Sequence, residues 1–143
     1  MSTHYVPGMA LLHPVINHDN RGYWEALRRH ELVIQRCQNC GLRVHPPRPM
    51  CPRCLSTDKE WAPSSGKGHI HSWVTFVYDK SGYPAIEVPY AVVLVELEDD
   101  GARILSNVVD MKPEEIYIGM PVEAVFDDVD DELTLVKFKK REV

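Results

Sequence analysis

The chain holds four cysteines in two Cys-x-x-Cys pairs, Cys37–Cys40 and Cys51–Cys54, with ten residues between the pairs. A spacing of two lets one tight turn aim two thiolates at a single point. A second such turn shortly afterwards completes a set of four soft donors. That set suits a structural zinc ion, which takes a closed tetrahedron, whereas a catalytic zinc keeps one position open for water. The segment from Leu32 to Trp61 is too short to bury a core of its own. Metal binding, worth about 10–16 kcal/mol in small zinc domains, would supply the missing stability. The alternatives to zinc are iron in a rubredoxin-type site, disulfides, or four buried thiols. His45, in the loop between the pairs, is a further donor that four cysteines leave unneeded.

Around this motif the chain divides into three parts. Residues 1–31 form an arm and a helix. Residues 1–18, with Pro7, Gly8 and Pro14, read as irregular. Asp19 or Asn20 is placed to cap a helix running to about Glu31. Tyr23, Trp24 and Leu27 share one face of that helix, and Arg21, Arg28 and Arg29 give it positive charge. An aromatic anchor beside arginines has the composition of an interface hot spot, so Trp24, Leu27 and Arg28 are candidate docking residues. The other reading packs Trp24 and Leu27 against the neighbouring domain.

Residues 32–66 form the metal ribbon, with short strands at Leu32–Arg36 and Ser56–Ala62. Residues 67–143 read as all-β. Strands are expected at Gly68–Asp79, Tyr90–Glu98, Arg103–Val109, Val122–Phe126 and Leu133–Phe138. A break at 80–84, a hairpin turn at 98–101, a helical turn at 112–116 and an acidic turn at 127–131 separate them. In the first strand, strict alternation puts Ile70, Ser72, Val74 and Phe76 on one face. Five strands with a helical turn between the third and fourth is the layout of a Greek-key OB barrel. The predicted fold class is mainly β: an N-terminal helix, a rubredoxin-like zinc ribbon and a five-stranded OB-fold barrel.

Charge counts against one role that both ribbons and OB folds serve elsewhere. Residues 1–66 carry 8 Lys/Arg against 5 Asp/Glu, whereas residues 67–143 carry 8 against 16. Single-strand nucleic-acid grooves combine positive charge with stacking aromatics. A nucleic-acid-binding ribbon and barrel is therefore the weaker alternative, and no nucleic-acid partner is expected. His69 and His71 read as a polar outer face, and the acidic stretch Asp127–Glu132 as a solvated turn without the glycine and spacing of a calcium loop. No apolar run approaches the ~18 residues of a membrane span. The first ten residues lack a secretory pattern. The expectation is a cytoplasmic protein with no membrane partner. The sequence offers no nucleophile with a base and an oxyanion hole, so no catalytic residue is assigned.

The ordered segments Tyr23-Trp24-Glu25-Ala26-Leu27, Arg36–Gly41, Pro46–Cys54, Gly66-Lys67-Gly68, Pro89–Val92 and Gly119–Val122 resemble the acyl-CoA-associated zinc-ribbon/OB-fold family, long described as a domain of unknown function. The resemblance spans about residues 20–140. It implies an accessory subunit of a thiolase-fold enzyme, such as a thiolase or a steroid side-chain aldolase. Members also occur with hydratases and with hydroxymethylglutaryl-CoA synthase. The catalytic residues would lie on the larger partner, and the small chain would border the CoA path. A CoA thioester is the implied ligand of the complex; 2-benzoylsuccinyl-CoA, acetoacetyl-CoA and steroid-derived CoA esters are all compatible. Arg21, Arg48 and Lys67 are the candidate contacts to CoA or to the partner.

Overall fold

The protein is described here from a computed structural model, over residues 12–77 and 87–143. Helix α1 spans Arg21–Arg28. Strands β1 (Val33–Cys37), β2 (Arg43–Val44) and β3 (Lys59–Pro63) form an antiparallel sheet in the order β2-β1-β3. Strands β4 (Lys67–Phe76), β5 (Tyr90–Leu97), β6 (Arg103–Ser106), β7 (Pro121–Asp128) and β8 (Thr134–Lys140) form a second sheet in the order β6-β5-β4-β7-β8. A 3-10 turn at Pro113–Glu115 lies between β6 and β7. Past the end of β6, Val108 bridges Phe138 in parallel, and the Phe138 N–H donates to the Asn107 carbonyl. This bridge joins the two edge strands and closes the expected five-stranded OB barrel.

The helix is shorter than the sequence suggests. It stops because the chain reverses through His30, whose φ is 59°, while the Arg29, His30 and Glu31 amides bond back to Ala26 and Leu27 carbonyls. That is the left-handed termination normally given to glycine. At the other end neither expected residue caps through its side chain. Asn17 Oδ1 accepts the Asp19 and Asn20 amides, and the Asp19 carboxylate goes to Lys59 instead.

Strand β4 departs from strict alternation. Its pairing with β5 slips between Ile70 and Ser72. A bulge inserts one residue and reverses which side chains face inward from there on. Ile70 is fully buried, but Trp73 then packs on the core while Val74 and Phe76 face out. The expected break at 80–84 lies outside the described residues.

One core joins the parts. Tyr23 and Leu27 of α1 and Leu32 and Ile34 at the root of the ribbon cluster with Ile70, Val93, Val95, Val122 and Phe138 of the barrel. Among the described residues, no helix is long and apolar enough to cross a membrane.

Candidate functional site

The four cysteines converge. Their Sγ atoms lie within 4.8 Å of one another, with Cys37–Cys54 at 3.5 Å and Cys40–Cys51 at 3.6 Å. Sulfurs at ~2.3 Å from a tetrahedral zinc are about 3.8 Å apart, so the cage has the right size. The same separations are far too long for a disulfide. The donor chemistry, four thiolates with no water position, fits a structural zinc.

Each pair sits on a turn of the same design. In the first, the Gly41 amide donates to the Cys37 carbonyl, and Gly41 has φ 78°. In the second, the Leu55 amide donates to the Cys51 carbonyl, and Leu55 has φ 66°. The turns require one left-handed residue each; the first uses glycine and the second strains a leucine. Hydrogen bonds lower two of the four thiols, those of Cys40 and Cys54. The Leu42 N–H beside Cys40 helps bring its thiol down to about 6, and the Asn39 side chain followed by the Ser56 N–H lowers Cys54. Arg53 donates to the Cys40 carbonyl at 2.9 Å and adds positive charge nearby.

His45 is not a fifth ligand in waiting. Its ring lies 5.1 Å from that of Tyr23, and burial lowers it to about 4, leaving it neutral. Its Nδ1 is buried without a hydrogen-bond partner.

The candidate surface residues separate into two places. Lys59 Nζ donates to the Asp19 carboxylate and to the Arg48 carbonyl, both at 3.0 Å. This draws the start of α1, with exposed Arg21, to the 46–49 loop, with exposed Arg48. The neighbouring Gly22 is dictated by packing: a Cβ there would stand 2.2 Å from Trp61 Nε1. Lys67 is exposed at the start of β4, opposite Glu123 in the ladder.

The helix face expected to dock is largely committed. Leu27 is 1% exposed inside the chain's own core, so no partner can reach it. Arg28 donates to the Asp131 carbonyl at 2.7 Å. Trp24 is half-buried and packs edge-on against Tyr23. The acidic turn is the other half of this contact rather than merely solvated. His30 meets Asp128 at 2.9 Å and His13 meets Asp130 at 2.7 Å. The Thr134 hydroxyl and then His30 hold the Asp128 carboxyl below its usual range. Sequence reasoning missed Lys59, a bridge between two segments far apart in the chain. It also missed Gln35, buried in β1, whose Oε1 accepts the Arg48 amide at 2.8 Å.

The "ChsH2, rubredoxin-like zinc ribbon domain" profile matches residues 24–60, and the "ChsH2, C-terminal OB-fold domain" profile matches residues 61–127. A DUF35 domain-containing scaffold protein of Methanocaldococcus jannaschii is 38% identical over 122 residues, covering 81% of this chain and 85% of that protein. A probable enoyl-CoA hydratase alpha subunit of Thermomonospora curvata is 43% identical over 126 residues. The match covers 88% of this chain but only 39% of that longer subunit. A chain in a solved Ltp2-ChsH2(DUF35) aldolase superposes with a TM-score of 0.82 at 41% identity, over 90% of this chain and 98% of that one.

Proposed function

The chain belongs to the ChsH2/DUF35 family of zinc-ribbon and OB-fold proteins, and from that premise we propose that it is a non-catalytic subunit of an acyl-CoA enzyme whose larger partner has a thiolase fold. The observation that carries this reading is the match to 98% of one chain of a two-component aldolase. The site chemistry agrees with it. Four thiolates saturate the metal and leave no position for a substrate, so the zinc holds shape rather than reacts. On this reading the substrate is handled on the partner, and the ribbon and barrel form its accessory wall.

The CoA contact is assigned to Arg21 and Arg48, which Lys59 brings together beside the ribbon. CoA carries phosphates, and arginine forks match phosphate oxygens in two-point contacts. Lys67 is assigned to the partner side of the barrel. The working parts are residues 1–31, 32–66 and 67–143.

The test is co-expression with a thiolase-fold acyl-CoA enzyme from the same organism. The two are expected to elute as one complex in size-exclusion chromatography, and only the complex is expected to turn over acyl-CoA thioesters. Turnover by this chain alone, or separate elution at micromolar concentration, would overturn the proposal. Arg21→Ala with Arg48→Ala is expected to raise the KM for the CoA thioester while the complex stays intact. An unchanged KM removes these two residues from the CoA path.

A further inference from the structure

The arginines of this chain are almost all committed to the chain itself. Of the nine, seven place the guanidinium on an oxygen of the fold, as Arg28 does on the Asp131 carbonyl and Arg43 on the Asp100 carboxylate. The two exceptions are Arg21 and Arg48. Both are exposed, and neither guanidinium makes a hydrogen bond or ion pair among the described residues.

Arg48 is free at its side chain but fixed at its backbone. Its N–H donates to Gln35 Oε1 at 2.8 Å, and its carbonyl accepts from Lys59 Nζ at 3.0 Å. Gln35 lies in β1 at 2% exposure, and Lys59 begins β3, the neighbouring strand of the same sheet. A surface loop commonly leaves its backbone groups to water; here side chains from two strands hold both groups of one residue. Pro47 and Pro49 flank it, and their ring-fixed φ stiffens the chain on either side. A buried amide side chain is costly unless it is paired, so Gln35 ties the interior of the ribbon sheet to the position of this one loop residue. Lys59 Nζ also donates to the Asp19 carboxylate at 3.0 Å, two residues before Arg21. The same ammonium therefore anchors both segments that carry a free arginine, and Asp19 balances its charge.

We infer that Gln35 and Lys59 are positioning residues that preset Arg48, and Lys59 also Arg21, for a phosphate of the nucleotide part of the CoA thioester. This rests on the accessory-subunit reading above and adds which part of the ligand is read and what holds the readers in place. A root fixed during folding has no backbone freedom left to lose on binding, so the contact gains affinity without a new bond. The planar guanidinium then meets phosphate oxygens through two parallel N–H donors. Neither Gln35 nor Lys59 touches the ligand; each acts through the Arg48 backbone.

The experiment compares two substrates of the co-expressed complex that share one acyl group: the CoA thioester and the pantetheine thioester, which carries no phosphate. Lys59→Met and Gln35→Leu are each expected to raise the KM for the CoA thioester about tenfold, the size of one lost hydrogen bond to a charged group. The kcat and the KM for the pantetheine thioester should stay at wild-type values, and Lys59→Arg, which keeps a donor for both oxygens, should restore most of the loss. If a variant raises both KM values alike, its role is structural and the inference is overturned. If both KM values hold but the complex weakens, Arg48 meets a carboxylate of the partner rather than a phosphate, and the inference is overturned while the subunit reading survives. A readout on the isolated chain needs no partner: the Arg48 amide should exchange slowly in wild type and fast in Gln35→Leu. An Arg48 amide that already exchanges as fast as an open loop removes the positioning role and leaves the subunit reading intact. Failure of the wild-type chains to form a complex removes the subunit reading and this inference together. Should Gln35→Leu unfold, Lys59→Met with its arginine rescue decides.

Discussion

The far ribbon and the barrel carry the same chain by opposite means. Between Gln38 and Asp58 the only buried hydrophobic residues are Val44 and the ligand Cys51. The barrel buries Ile70, Val93, Val95, Val122, Met120 and Phe138 at 2% exposure or less. One region is fixed by a point of coordination and the other by a volume of packed side chains. A metal site fails all at once when one donor goes, while a core loses stability in proportion to what is removed. The ribbon therefore tolerates a polar, arginine-bearing surface that a segment of its length could not otherwise order.

Removing one thiolate should give the largest effect. Cys40→Ala is expected to forfeit most of the ~10–16 kcal/mol that metal binding contributes in small zinc domains. Elemental analysis should fall from about one zinc per chain to none. Exchange protection should vanish over 38–58 while barrel amides stay protected. Collapse of both regions together would show that the ribbon and the barrel are one cooperative unit and break the contrast. The counterpart in the barrel is Phe138→Ala, with an expected loss of ~3–5 kcal/mol and unchanged zinc content, read from chemical denaturation.

His45 tests the boundary between the two regions, since it leaves the ribbon to pack on Tyr23 of the shared core. Its folded-state value of about 4 lies below the ordinary histidine value of 6.5, because burial disfavours the cation. The unfolded chain then binds the extra proton first. The contribution is fully present above pH 6.5 and is lost as pH falls toward 4, by roughly 3 kcal/mol in all. His45→Phe should flatten the stability difference between pH 6.5 and 5 relative to wild type. An equal slope in both proteins would assign the acid sensitivity to the thiolates instead.

The smallest effects compare the two turns that hold the zinc. Gly41→Ala meets nothing closer than an Arg36 nitrogen at 3.5 Å, so only its backbone conformation is penalised. About 1 kcal/mol of destabilisation is expected. Leu55→Gly relieves the same conformation in the second turn and should gain up to ~1 kcal/mol in melting experiments, since Leu55 is mostly exposed and gives up little packing. A loss there would mean that Leu55 packs in a way its exposure does not reveal.

Much was legible from the residues themselves. The cysteine spacing determined the metal site, because two-residue turns and four soft donors admit few arrangements. The strand order and the turn before β7 determined the OB barrel, because alternation and turn residues act locally. Tertiary structure alone decided the rest. The slip after Ile70 depends on how β4 pairs with β5, and it reversed the faces that alternation assigned to Val74 and Phe76. Leu27 and Arg28 matched an interface by composition, but β8 and the acidic turn were the surfaces they met. Lys137 shows the same limit. It alternates in β8 with the core residues Val136 and Phe138, yet it is 2% exposed on a strand that α1 packs against, 3.0 Å from Asp127. Periodicity tells which side chains share a face; only the packed neighbours tell whether that face meets water, because burial is set by segments distant in sequence.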